Sequence, residues 1–201
     1  MSGTMDNLGY TVTFRPNSSS VTTLRTHTGE YEFDNFHYHW GERAGCGSEH
    51  MVDGKQYDLE IHFVFKKVNN TNPNAGDAIS VLGIFGEIDN SAEISGIWKQ
   101  VTPMKVLPFN SVEEIGDIIY SDFLPDSCDY FHYEGSLTTP GYDEVVQWFV
   151  LKEPIRVPAL YFDQLREIQD AQGDNIAKNY RELQDLNGRV VKRLELSNKE
   201  D

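Results

Sequence analysis

Residues 57–65 read YDLEIHFVF. In an extended chain successive side chains point to opposite sides. Tyr57, Leu59, Ile61, Phe63 and Phe65 therefore share one face, and Asp58, Glu60, His62 and Val64 the other. Residues 31–40, YEFDNFHYHW, repeat the device, with Phe36, Tyr38 and Trp40 on one side and His37 and His39 on the other. Two such strands side by side make a sheet with an aromatic face that packs and an imidazole face that does chemistry.

Further strands are predicted at 9–14 (GYTVTF), 78–88 (AISVLGIFGEI), 144–155 (EVVQWFVLKEPI) and 190–196 (VVKRLEL). The run ISVLGIF is nearly continuous in apolar character, as in a strand covered on both faces. Two short helices are predicted. One is 111–119 (SVEEIGDII), where Ser111 and Glu114 form a capping-box pair. The other is 158–168 (PALYFDQLREI), which opens on Pro158 and sets Tyr161, Leu165 and Ile168 at helical spacing. Loops rich in Asn, Gly, Ser and Pro lie between, and no repeat or interdomain linker interrupts the chain. The expectation is one α/β domain over residues 1–201, dominated by a central, mostly antiparallel twisted β-sheet with short peripheral helices.

The chain has 201 residues and 39% apolar content, enough for one substantial core. Its 32 acidic against 17 basic residues give a net charge of -15, which disfavours nucleic acid and anionic membrane surfaces as partners. The N-terminus shows no basic segment followed by an apolar run. Two cysteines, Cys46 and Cys128, are too few for a disulfide framework, although one bridge between them is geometrically open. Both features point to a cytoplasmic setting. Asn17-Ser18-Ser19 and Asn69-Asn70-Thr71 fit the glycosylation pattern, which is silent there.

His62 is the candidate third partner of His37 and His39. Three neutral imidazoles leave a fourth tetrahedral position open, the arrangement of a catalytic rather than a structural zinc site. Glu60 precedes His62 by two residues and Asn35 precedes His37 by two, so each can accept its neighbour's other ring N–H and fix its orientation. Each of these residues alone has a plainer role: a hydrogen-bonded strand histidine, a solvated charge. His27 and His132 read as surface or local hydrogen-bonding residues, and Trp40 and Trp148 as packing.

Three segments resemble the alpha class of carbonic anhydrases: FHYHWGERAGCGSEHMVDGKQYDLEIHFV (36–64), DYFHYEGSLTTPGYDEVVQWFVLKEPI (129–155) and, less closely, NYRELQDLNGRVV (179–191). The resemblance implies a Zn2+ enzyme that hydrates carbon dioxide reversibly to bicarbonate and a proton, with activated-ester hydrolysis as a side activity. His37, His39 and His62 stand at its metal-ligand positions. Glu49 and Thr138 stand at the pair that orients the nucleophile, with Tyr133 behind the threonine and His50 structural. Val64, Val81, Leu137, Val146 and Trp148 stand at the apolar substrate wall, and Thr139 at a polar pocket position. Asn179, Tyr180 and Arg181 match a C-terminal scaffold element.

The pattern also departs from the family. The resemblance starts near NLGYTVTF, so an N-terminal portion that packs against the sheet is expected to be lacking, which would expose apolar surface or a strand edge, with aggregation or dimerisation as consequences; monomer and dimer both stay open. Tyr10 stands where fast members place a histidine proton shuttle. An imidazole with a pKa of about 6.5 exchanges protons readily near neutrality and a phenol of about 10 does not, so slower, buffer-dependent turnover is expected. Tyr142 replaces the second cysteine of a disulfide found in secreted relatives. The alternative is a noncatalytic binding or structural module on the same fold; a leader ahead of this sequence would make the protein secreted.

Overall fold

The structure, a computed structural model, describes residues 1–17 and 22–195. Its strands, in chain order, are β1 (Gly3–Asn7), β2 (Val12–Pro16), β3 (Thr23–Thr26), β4 (Gly29–Trp40), β5 (Met51–Val52), β6 (Lys55–Gln56), β7 (Leu59–Lys67), β8 (Ile79–Asp89), β9 (Val112–Ile115), β10 (Tyr130–Gly135), β11 (Val146–Leu151), β12 (Ile155–Pro158) and β13 (Lys192–Leu194). The helices are α1 (Gly96–Gln100) and α2 (Ala159–Leu165). No helix among the described residues is long and apolar enough to cross a membrane.

β5 and β6 form a small hairpin; the other strands form one sheet in the order β13-β10-β11-β8-β7-β4-β2-β1-β9, with β3 beside β4 and β12 beside β8. β11 and β12 both run parallel to β8, and every other pairing is antiparallel. The single α/β domain with a large, mostly antiparallel sheet follows from the alternation read at β4 and β7.

The larger of two buried apolar clusters lies on one face of that sheet. Phe36, Tyr38 and Trp40 of β4 pack there with Leu59, Ile61 and Phe63 of β7, and Phe14 stacks on Phe36 with ring centroids 4.9 Å apart. Tyr31 and Phe33 belong to the same core, although in a regular strand Phe33 and Phe36 would face opposite ways. A β-bulge between Phe33 and Asn35 resolves the conflict: Phe33 pairs with Phe65 and Asn35 with Val64, so Asp34 is the extra residue. The added residue reverses the parity of the strand. Tyr31 and Phe33 stay in the core, while Asn35, His37 and His39 all turn to the other face.

Several boundaries differ from expectation. The segment 111–119 is not a helix: Val112–Ile115 is the edge strand β9, paired with β1 from Gly3↔Ile115 to Asp6↔Val112. The capping-box pair is a local preference worth about 1 kcal/mol; the open edge of β1, with Ile115 and Ile118 buried in the core, outweighs it. Gly116 and the β-branched residues weaken a helix further. The strand expected at 9–14 starts at Val12, because Gly9, at φ 81, sits in the turn that joins β1 to β2. The segment 144–155 divides into β11 and β12. α2 falls inside the predicted 158–168 but is shorter: Tyr161 and Leu165 are buried on it, Pro158 stands ahead of its first turn, and Ile168 is buried beyond its end. Of the strand expected at 190–196, Lys192–Leu194 pairs with β10; Leu196, like Ser18 and Ser19 of the first glycosylation triplet, lies outside the described residues. Cys46 and Cys128 are both free thiols, so the bridge between them is not made.

Candidate metal centre

On the face opposite the aromatic core, the β4–β7 register sets His37 directly across from His62 and His39 across from Glu60. The rings of His37, His39 and His62 converge, with centroids 4.4–5.4 Å apart. One nitrogen from each lies within 4.8 Å of the others. Because side chains repeat every two residues along a strand, a slip of one position in β4 would send His37 and His39 into the aromatic core, and one in β7 would send His62 there. Burial of that core is therefore what fixes the cluster.

In each ring the other nitrogen is engaged. His37 Nδ1 is 2.9 Å from Asn35 Oδ1, His62 Nε2 is 2.8 Å from Glu60 Oε1, and His39 Nδ1 is 3.2 Å from the backbone oxygen of Asn179. These acceptors fix the tautomers and leave His37 Nε2, His39 Nε2 and His62 Nδ1 for a metal. His39 Nε2 is buried and has no hydrogen-bond partner. A buried polar atom left bare costs about 1–3 kcal/mol, and a metal ion among three imidazoles would satisfy it.

Glu60 is fully buried. Its carboxylate accepts the backbone N–H groups of Glu49 and His50, both at 2.9 Å, and also meets His50 Nδ1 at 2.6 Å. Burial favours its neutral form, but the facing His50 and His62 hold its carboxyl well below the usual range. His50 moves the other way: burial pulls it down, and the charge and hydrogen bond of Glu60 carry it above its ordinary value. His50 Nε2 lies 2.6 Å from the Tyr133 hydroxyl. Burial, then the neighbouring His39 and His62, holds His37 well below the ordinary imidazole value, and burial lowers His39 as well. These two rings are thus in the neutral form that offers a lone pair. Gly83 stands across from His62, and a Cβ there would meet Glu60 Oε1 at 3.0 Å; the missing side chain leaves room for the carboxylate.

Glu49 accepts the backbone N–H of Arg181 at 2.7 Å through Oε1, which also lies 3.3 Å from His39 Nδ1, while its buried Oε2 has no hydrogen bond and lies 3.9 Å from His62 Nδ1. Thr138 lines the same cavity as Glu49, yet no hydrogen bond joins the two. Val64, Val81, Val146 and Trp148 form one buried cluster with Leu137 packed against it; Thr139 is exposed. Tyr10 is 55% exposed, and its backbone oxygen accepts a hydrogen bond from Asn179 Nδ2 at 2.9 Å. Tyr142 is also exposed, under the Arg181 guanidinium at 3.9 Å. His132 is buried with Nδ1 2.9 Å from the Trp148 oxygen, and His27 rests edge-on against its ring. Trp40 and Trp148 pack, as expected.

Asn179 was expected in a C-terminal scaffold element, but the groups that it holds were not foreseen. While its backbone oxygen receives His39, its side chain accepts Trp40 N–H at 2.7 Å and donates to the Tyr38 oxygen at 2.8 Å. It thereby ties the C-terminal stretch to the end of β4.

Comparison with known proteins agrees with this geometry. Carbonic anhydrase 7 of Mus musculus and of Homo sapiens are each 32% identical to it over 205 residues, a match covering 96% of this chain and 77% of theirs. Carbonic anhydrase 4 of Rattus norvegicus is 34% identical over 180 residues, 81% of this chain and 56% of that protein. The eukaryotic-type carbonic anhydrase family matches residues 1–195. The chain therefore belongs to the alpha-class, eukaryotic-type carbonic anhydrase family.

Proposed function

We propose that the protein is a zinc enzyme that hydrates carbon dioxide reversibly to bicarbonate and a proton. The observation that carries this reading is the buried, unpartnered His39 Nε2 within a trio of imidazoles whose other nitrogens are all held. His37, His39 and His62 would hold the ion. Zinc in such a trio supplies a nucleophile near neutrality by lowering the pKa of water from about 15.7 to about 7.

The chain's own residues do the rest. Arg181 N–H fixes one oxygen of Glu49 and leaves the other without a hydrogen bond. In this reading Thr138 donates to that second oxygen and accepts the hydrogen of the nucleophile, whose lone pair is then aimed before the substrate arrives. Val64, Val81, Val146, Trp148 and Leu137 give an apolar surface suited to carbon dioxide, with Thr139 at its polar margin. Tyr10 supplies no shuttle, so the proton leaves to external buffer. Quantifying bound metal in the purified chain, and assaying hydration with and without added zinc, tests the proposal. One equivalent of zinc with zinc-dependent hydration is expected, and His62→Ala should remove both.

The missing Thr138–Glu49 hydrogen bond favours a second reading, a noncatalytic module that keeps the metal. Stoichiometric zinc without hydration activity would select it.

A further inference from the structure

Beyond His50 and Tyr133 lies a cavity of about 450 Å³. Its floor is one face of β10 and β11, where Phe131 pairs with Val150 and Tyr133 follows two residues on. Lys152 continues that face. Its roof is the irregular stretch that follows Arg181, which sets Leu183, Leu186 and Val191 over the floor. Leu183 and Leu186 are 61% and 57% exposed, so apolar surface faces water on the roof of a concavity of ligand size.

The charge in this cavity is opposite to that of the chain. Against a net charge of -15, Arg181 and Arg189 both line it, and neither has a carboxylate within ion-pair distance among the described residues. Of the acidic residues at the lining, Asp53 and Glu182 form no ion pair with them, and Glu49 meets only the backbone N–H of Arg181. Arg181 is taken up by Ser136, Leu137 and the Tyr142 ring. Arg189 donates Nε to the Leu186 oxygen and Nη2 to the Asp185 oxygen, and its guanidinium lies 5.6 Å from the Tyr133 ring. Those two backbone acceptors hold the fork in place while Nη1 stays free. A fixed guanidinium beside an apolar trough is a receptor for a carboxylate with a hydrocarbon tail.

We infer that this cavity binds an amphipathic monocarboxylate of the fatty-acid type, its head on Arg189 and its chain between the Phe131–Val150 floor and the Leu183–Leu186 roof. Glu49 and Thr138 line the same cavity, but none of the three imidazoles does, so binding there does not depend on zinc.

Calorimetric titration of the full chain with decanoate, below its micelle concentration, tests this. Saturable 1:1 binding is expected. Arg189→Gln should weaken decanoate about tenfold, the scale of one charge-assisted hydrogen bond, and leave decanol unchanged. Leu186→Ser, at an exposed position, should weaken both. Equal decanoate affinity in the parent and a folded Arg189→Gln chain would overturn the site. So would binding that disappears when zinc is stripped, which would put the carboxylate on the metal. A dimer in sedimentation that decanoate fails to disperse would assign the trough to a second copy instead.

Discussion

The β4–β7 pair and the C-terminal stretch around Asn179 serve the same cluster by different means. β4 and β7 pair from Tyr31↔Lys67 to Trp40↔Leu59; most of β7 is buried on both faces, and residues spaced by two supply the three imidazoles together with Asn35 and Glu60. The stretch around Asn179 has no regular structure, and it reaches His39 through one residue whose four polar groups make five hydrogen bonds: N–H to the Trp40 oxygen, oxygen to His39, and the side-chain amide to Trp40, Tyr38 and Tyr10. Strand register chooses which side chains meet, and a distant amide fixes how one of them is turned. The first is held by burial and the second by hydrogen bonds, so the two should fail differently.

The largest effect is expected from deleting Asp34, the bulge residue. Without it Tyr31 and Phe33 must leave the core or the histidines must enter it. Losing the burial of two aromatic side chains costs about 3–6 kcal/mol, and zinc binding should vanish with it; urea unfolding and metal analysis read both. An unchanged urea midpoint would show that the bulge does not set the parity. Next, Glu60→Gln strikes within the strand pair without moving it. The carboxylate receives bonds from Glu49 N, His50 N, His50 Nδ1 and His62 Nε2, and an amide has one acceptor oxygen to offer them. Chelator competition should show zinc affinity lower by about 10–100-fold, the usual cost of losing a partner behind a metal ligand.

How much of this was legible in the sequence follows from range. Alternation at 57–65 gave the strand, its core face and the pairing of Glu60 with His62, because all of that information lies within a few residues. Asn35 and His37 were equally local. The bulge was visible only as a break in parity between Phe33 and Phe36, which a regular strand over 31–40 hides. β9 was misread as a helix because the capping pair Ser111–Glu114 is local, whereas its partner β1 is about a hundred residues away. Asn179 lies 140 residues from His39, and no local pattern marks its backbone oxygen as the acceptor for that ring. The pairing of Thr138 with Glu49 rested on resemblance; the structure puts both on one cavity without joining them.

Asn179→Ala should sharpen the contrast. It removes the side-chain bonds to Trp40 N, Tyr38 O and Tyr10 O but keeps the backbone oxygen that holds His39 Nδ1. The loss of stability should be about 3 kcal/mol, since polar groups are left bare at the end of β4, while zinc affinity should fall less than in Glu60→Gln. A larger loss of zinc than of stability would mean that the stretch selects the ligands as well as turning one of them.

The smallest effect is expected at Tyr10, which this stretch also touches. Its backbone oxygen is bonded to Asn179 and its side chain is 55% exposed, and no hydrogen bond among the described residues holds the ring relative to the imidazole trio. On the proposed function, Tyr10→His places an imidazole where it can pass protons to solvent, but a loosely held relay recovers only part of the about 10²–10⁴-fold that a positioned one provides. Turnover at low buffer should rise by about fivefold. The dependence on added imidazole buffer should flatten, and kcat/KM should stay the same, because hydration itself does not use the relay. A change in kcat/KM would instead show that position 10 acts through Asn179 on His39, and would bring the rim and the C-terminal stretch under one mechanism.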